Sequence, residues 1–257
     1  MKNSLILASH DGPSTTVLTL NRPDKRNALS IALMKELCRA IEQAGRDKKQ
    51  RVLVLRGAGP AFCAGLDLEE ASKPAKADAG ARMVARTLLA LHTCRLVTVA
   101  MVHGAAVAGG AGLMAACDYV IAEDDTTIGF PETRRGLVAA LVMTFLCRQL
   151  HERDVRELLL TGEPVTPQRA LAMGLINRIV PAGNPTAAII EMKKVSESVA
   201  RCGPSATAQT KRILDGLRPS SVKRDLQMAL KHHLKARHSK EAEEGIEAFL
   251  EGRKPQW

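Results

Sequence analysis

HGAAVAGGAGLMAACDYVIAEDDTTIGFPE, residues His103 to Glu132, is the stretch on which the reading of the chain turns. An apolar run, Leu96–Val102, ends in His103-Gly104 and passes through Gly109-Gly110 into the small-residue helix pattern Ala111–Cys117. The chain then re-extends through Asp118–Ala122 as a β-type run and closes on Pro131-Glu132. A strand, a glycine turn and a helix start together aim backbone N–H groups at an anion. A carboxylate returning to the same place adds the means of proton transfer beside that anion.

Outward from this stretch, Ser4–Ala8 and Thr15–Leu20 read as a hairpin about His10-Asp11-Gly12-Pro13. Asn21–Leu29 is a polar loop, and Ser30 is placed to cap a helix with Ile31, Met34, Leu37, Cys38 and Ile41 on one face. Arg51–Gly57 is a buried strand, followed by the loop Ala58–Gly65. Glu69–Ala81, rich in Ala, Lys, Pro and Asp, reads as a mobile segment, with a helix from about Arg82 to Thr93. Beyond Glu132 the pattern predicts an apolar helix over Gly136–Leu150 and an amphipathic one over His151–Leu160. A short helix capped by Thr166-Pro167 ends at Gly174, before a strand at Leu175–Val180. From Pro185 onward the pattern is helical, broken at Gly203-Pro204 and Pro219. Strands alternating with helices predict an α/β fold with largely parallel pairing. The division expected is a core over residues 1–200 and a helical module over residues 201–257.

Composition narrows the function classes. The 257 residues are 46% hydrophobic but only 2% aromatic, so the core must be aliphatic and alanine-rich. No apolar run approaches the roughly 20 residues of a membrane span, and Met1–Ala8 is too short for a signal peptide. A soluble, cytoplasmic protein is expected. Six cysteines, Cys38, Cys63, Cys94, Cys117, Cys147 and Cys202, form no CxxC pair and read mostly as reduced core thiols. His232, His233 and His238 lack the i, i+4 spacing of a helical metal pair and read as surface residues, so no metal is expected. The net charge of +10 suits nucleic acid, an anionic surface or a phosphorylated small ligand. The positives are scattered, and the scarcity of aromatics for base stacking argues against nucleic acid.

Two loops share one form, a β run followed by small residues with glycine. They are Gly57-Ala58-Gly59-Pro60-Ala61-Phe62-Cys63-Ala64-Gly65-Leu66-Asp67 and His103–Gly110. Small side chains let a ligand approach the backbone, so that one N–H from each loop can hold a single oxygen. With Asn21–Leu29, Phe62–Leu68, Cys117-Asp118, Phe130-Pro131-Glu132, Leu160-Thr161-Gly162 and Ala170–Ile176 in this order, the chain resembles the enoyl-CoA hydratase/isomerase, or crotonase, family. The resemblance implies a crotonase-like spiral of ββα units with a C-terminal helical module. It also implies assembly as a homotrimer or a dimer of trimers, with a coenzyme A thioester as substrate and no further cofactor. By position, the N–H groups of Ala64 and Gly109 would hold the thioester oxygen as an enolate forms, flanked by Phe62, Gly65, Leu68 and Gly110. Loss of one such donor costs about 2.7–4 kcal/mol of barrier.

Glu132, after Pro131, matches one of the family's two acid/base glutamates, and an apolar pocket would raise its pKa. The other falls at Gly112. Two-glutamate hydratases share activation of water and protonation of the α-carbon, whereas a 1,3 double-bond shift needs one carboxylate. Gly112 either opens space in the pocket, as for the bicarbonate of the dihydroxynaphthoyl-CoA synthase branch, or packs against a neighbouring helix. The dienoyl-CoA isomerase branch carries a further acid where this chain has Ala139-Ala140-Leu141, which argues against that reaction. Asp67 reads as the cap of a helix starting near Leu68. Lys25 and Arg26 are candidates for the coenzyme A phosphates, and Phe249 and Lys254 match a C-terminal helix that contacts ligand, often a neighbouring subunit's. Isomerisation or hydration of an enoyl-CoA, with Glu132 as the single acid/base, is the leading expectation. Decarboxylation or hydrolysis of an acyl-CoA is the second. A non-catalytic binder of acyl-CoA, a partner protein or RNA is the third.

Overall fold

Residues 4–72 and 74–257 are described by the computed structural model; Met1–Asn3 of the N-terminal reading and Lys73 of the Glu69–Ala81 segment lie outside them. The strands are β1 (Ile6–His10), β2 (Thr15–Leu20), β3 (Val52–Gly57), β4 (Val97–Val102), β5 (Ala105–Val107), β6 (Tyr119–Glu123), β7 (Thr127–Gly129) and β8 (Arg178–Val180). The helices are α1 (Ile31–Arg46), α2 (Leu68–Ala71), α3 (Pro74–His92), α4 (Gly109–Ala115), α5 (Ala140–Gln149) and α6 (Glu152–Thr161). They continue as α7 (Pro167–Ala172), α8 (Pro185–Ala200), α9 (Pro204–Gly216), α10 (Val222–Arg237) and α11 (Lys240–Glu251).

The large sheet runs β1-β2-β3-β4-β6-β8. The β1–β2 hairpin is antiparallel, with Ile6 opposite Leu20, and every later pairing in this sheet is parallel. Strands buried on both faces need apolar residues at every position, which is why β3 reads VLVL rather than alternating. Leu53 and Leu55 join the main core with α1 and α3, while Val52 and Val54 join a second core with Val17, Val99, Ile121 and α8.

A second, small sheet pairs β5 with β7 in parallel and is extended by bridges from Cys63 to Ala106 and from Ile128 to Val165. The chain therefore repeats one turn: a strand in the large sheet, a strand in the small one, then a helix. β4-β5-α4 and β6-β7-α5 are successive turns of this spiral. α10 packs on α3 and α5, and its Val222, Leu226 and Ala229 belong to the main core. Among the described residues no helix is long and apolar enough to cross a membrane.

Three boundaries differ from the sequence reading. The mobile segment expected over 69–81 is instead helical in α2 and from Pro74 onward in α3. Alanine is the best helix former and proline suits the first turn. Ala77 and Ala81 continue the buried face of Val84, Leu88 and Leu91, an apolar stripe too small-sided to register as one. The helix expected from Gly136 starts at Ala140, because Gly136 (φ +61°) ends the 3-10 turn Thr133–Arg135. The strand expected from Leu175 starts at Arg178, because Leu175 N–H donates to the Ala170 carbonyl and closes α7. Other signals hold: the Ser30 side chain accepts from Leu33 N–H, and Asp67 accepts from Glu70 N–H at the start of α2.

Asn27 ties the polar loop to the loop after β3. It is fully buried with φ +56°; its Nδ2 donates to the carbonyls of Ala58 (2.9 Å) and Ala61 (2.8 Å), and its Oδ1 accepts from Arg22 N–H (2.8 Å). Asn27→Ala leaves these buried and part-buried groups without their partner. A buried polar group left unpaired costs about 1–3 kcal/mol, so a loss of about 1–3 kcal/mol is expected in urea unfolding. A shift below about 1 kcal/mol would contradict this role.

Candidate active site

β7 delivers Phe130-Pro131-Glu132 into the 3-10 turn Thr133–Arg135, where the Glu132 carbonyl accepts from the N–H groups of Arg135 and Leu137. This short turn sets the Glu132 side chain into a cavity of about 60 Å³. Leu66, Ala108 and Gly109 line it from the two small-residue loops, Leu68 from the start of α2, Ala81 and Val84 from α3, and Leu141 and Val142 from α5. Arg135 and His233 are its other polar side chains. Glu132 is buried, and its Oε2 has no hydrogen-bond partner among the described residues. Burial pushes its carboxyl up to about 7, opposed by its own backbone N–H and by the Arg135 guanidinium. The same burial lowers Arg135, whose guanidinium lies 4.2 Å from the centre of the Phe249 ring.

The two loops are locked to each other. Cys63 N–H donates to the Ala105 carbonyl (3.0 Å), and Val107 N–H to the Cys63 carbonyl (3.1 Å). Gly110 sits so close that a Cβ there would meet the Cys63 carbonyl oxygen at 2.2 Å. Ala108 takes φ +51°, a conformation that alanine adopts at a cost of about 1–3 kcal/mol. That turn starts α4, and the Gly109 N–H has no hydrogen-bond partner among the described residues. Burial holds the Cys63 thiol at about 12 while its Sγ donates to the Asn27 carbonyl, so the thiol is packed, not poised as a nucleophile.

Of the residues singled out in the sequence, Glu132, Gly109 and Leu68 line one cavity. Ala64 is not among the residues lining that cavity. Its N–H donates to the Arg26 carbonyl at 2.9 Å, because Arg26 (φ +47°) and Asn27 curl the polar loop toward it. Phe62 is wholly buried, and its ring packs in the main core. Gly65 (φ +93°) abuts the Val107 carbonyl, and Asp67 is occupied by the α2 cap and by Arg22 at 2.9 Å. Gly112 opens no space: a Cβ there would lie 3.0 Å from Val142 Cγ2 and 3.6 Å from Leu88 Cδ2, so the apolar wall fills that side. Pro131 is half-buried ahead of Glu132. Lys25 is exposed and paired with Glu69 at 2.9 Å, Arg26 and Lys254 are exposed, and Phe249 meets the site through Arg135 of its own chain.

His233 was expected on the surface; it lines the cavity instead, and its Nδ1 lies 3.0 Å from the Val138 carbonyl oxygen. Its position seven residues after Leu226 and four after Ala229, both buried, is the periodic signal that places it inward. Arg135 had no comparable signal beyond following Glu132 by one turn.

A family model for enoyl-CoA hydratase/isomerase matches residues 12–257. A provisionally assigned enoyl-CoA hydratase of Thermus thermophilus is 38% identical over 248 residues, covering 94% of this chain and 96% of that protein. The mevalonyl-coenzyme A hydratase of Aspergillus fumigatus is 31% identical over 262 residues, covering 98% and 94%. The crystal structure of an enoyl-CoA hydratase from Mycobacterium avium superposes with a TM-score of 0.88 at 31% identity, covering 99% of each chain. The spiral of ββα turns is thus the fold of these enzymes.

A carboxyl that holds its proton up to about pH 7 when folded, against about 4.5 when free, stabilises the fold below the free value. That stabilisation is lost as pH rises from 4.5 through 7, and the difference is worth about 3 kcal/mol. Glu132→Gln removes the ionisation. Its stability relative to the unaltered protein should therefore improve by about 3 kcal/mol between pH 4 and pH 8 in urea unfolding. A pH-independent difference would show that the carboxyl is not held neutral.

Proposed function

The chain belongs to the enoyl-CoA hydratase/isomerase family, and we propose that it catalyses proton transfer at the α-carbon of an enoyl-coenzyme A thioester. The observation that carries this reading is the buried Glu132 carboxyl, with one oxygen unpartnered, in an apolar cavity shared with the free Gly109 N–H. A base works best when its pKa lies near the working pH, and about 7 meets that condition. Ionised Glu132 takes a proton from the α-carbon, and the electron pair moves onto the thioester oxygen. Gly109 N–H holds that oxygen. Ala64 N–H becomes the second donor when the thioester oxygen takes the place of the Arg26 carbonyl. Returned to the γ-carbon, the proton completes a 1,3 double-bond shift, for which Glu132 suffices.

The coenzyme A thioester is substrate here, not cofactor. Arg26 and Lys254 are exposed cations available to its phosphates, and Lys25 would have to exchange its pairing with Glu69 to join them. Exposed Ile213, Leu214, Leu217 and Met228 supply residues 201–257 with the apolar surface that a homotrimer would cover.

Solvent-deuterium exchange into the α-carbon of a saturated acyl-CoA, followed by mass spectrometry, tests the reading at its first step. Exchange is expected in the unaltered protein, and Glu132→Gln should lower it at least 100-fold, within the range of a general base, while still binding coenzyme A. Full exchange in that variant removes Glu132 from the mechanism. No exchange in the unaltered protein removes the reading itself.

A further inference from the structure

We propose that His233 is a second acid/base group of the Glu132 cavity, supplying from α10 the proton site that hydration of an enoyl thioester needs and that Gly112 does not provide. This rests on the enolate reading of Glu132. The geometry is specific. His233 and Glu132 line one cavity of about 60 Å³ with Gly109. Nδ1 of His233 lies 3.0 Å from the Val138 carbonyl oxygen, which can only accept, so Nδ1 carries the hydrogen. The neutral ring must then present Nε2 as a lone pair, and Nε2 has no hydrogen-bond partner among the described residues. The Val138 contact fixes both the tautomer and the ring's orientation.

The surroundings keep the ring neutral. Burial lowers its pKa below the ordinary 6.5, the Val138 bond opposes this, and Arg237 one turn on adds to it. The other charged groups lining the cavity are Glu132 and Arg135. Burial moves the two cavity groups in opposite directions, the carboxyl up and the imidazole down. At pH 7 and just below, a substantial fraction of the molecules therefore holds a protonated carboxyl and an unprotonated imidazole in the same cavity, an acid and a base ready together.

Hydration then balances. Nε2 takes a proton from water as the water oxygen bonds to the β-carbon, and the double-bond pair moves onto the thioester oxygen. The enolate collapses as the Glu132 carboxyl gives its proton to the α-carbon. The imidazolium returns its proton to the Glu132 carboxylate, so one water has been added and both groups are restored.

The test compares hydration of a 2-enoyl-CoA with α-proton exchange on a saturated acyl-CoA in His233→Asn. Asparagine keeps a donor near the Nδ1 position for Val138 and deletes Nε2. The hydration-to-exchange ratio is expected to fall at least 100-fold, the scale of one general acid/base. An unchanged ratio overturns the proposal. So does an unaltered protein that exchanges but does not hydrate, which leaves the Glu132 reading standing; absence of exchange overturns both. Should the variant not fold, the ¹⁵N shifts of His233 in the unaltered protein decide. A neutral ring protonated at Nδ1 at pH 7 supports the assignment, and a charged ring or an Nε2–H tautomer overturns it.

Discussion

The backbone contact between Cys63 and Gly110 is the constraint on which the site depends. With no side chain at Gly110, the start of α4 can lie against the Cys63 carbonyl, where a single Cβ would come within 2.2 Å. That approach lets Cys63 pair with Ala106 and draws the loop after β3 onto β5, so that a third segment extends the small sheet. The consequence reaches the chemistry. Ala64 follows Cys63 and Gly109 precedes Gly110, so the N–H groups of both loops are positioned by one interface. In the proposed reaction Ala64 N–H must first release the Arg26 carbonyl, so of the two only Gly109 N–H is free at the outset.

The rest of the packing serves a second demand, to keep a carboxyl out of water. Burying an ionisable group without partners is costly, and the cost appears here as a pKa near 7. Its walls are leucine, valine and alanine, in keeping with a chain that is only 2% aromatic. Arg135 moderates the cost through its charge while leaving Oε2 free, since its guanidinium faces the Phe249 ring. α11 thereby bears on the site through Arg135, and Gly245 of α11 sits against the Arg135 backbone.

Much of this was legible in sequence because it is local. The β1–β2 hairpin, the Ser30 and Asp67 caps, and the Gly109 to Glu132 stretch each rest on residues close in the chain. β5 and β7 were not legible, because runs of three residues become strands only by pairing with each other. The Phe62 ring lies in the core, and adjacency in a motif does not say which way a ring points. Ala64 differs for another reason: a carbonyl from residue 26, supplied by left-handed backbone, occupies its N–H. His233 lies about a hundred residues from Glu132, and only the packing of α10 on α3 and α5 brings it to the cavity.

Gly112 gains its meaning from that packing. A missing carboxylate would leave either a void or a filled wall, and the Val142 and Leu88 side chains fill it. Two carboxylates in one small apolar cavity raise each other's pKa by like-charge repulsion in addition to burial. An imidazole entering from another helix carries no charge in its resting form, so it adds a proton acceptor without that repulsion. Apolar filling at Gly112 also keeps the Glu132 surroundings free of competing hydrogen-bond donors on that side. The loss of a side chain on α4 and the presence of a ring on α10 are thus compatible parts of one arrangement, in which the pKa of Glu132 is set mainly by burial and not by a charged neighbour.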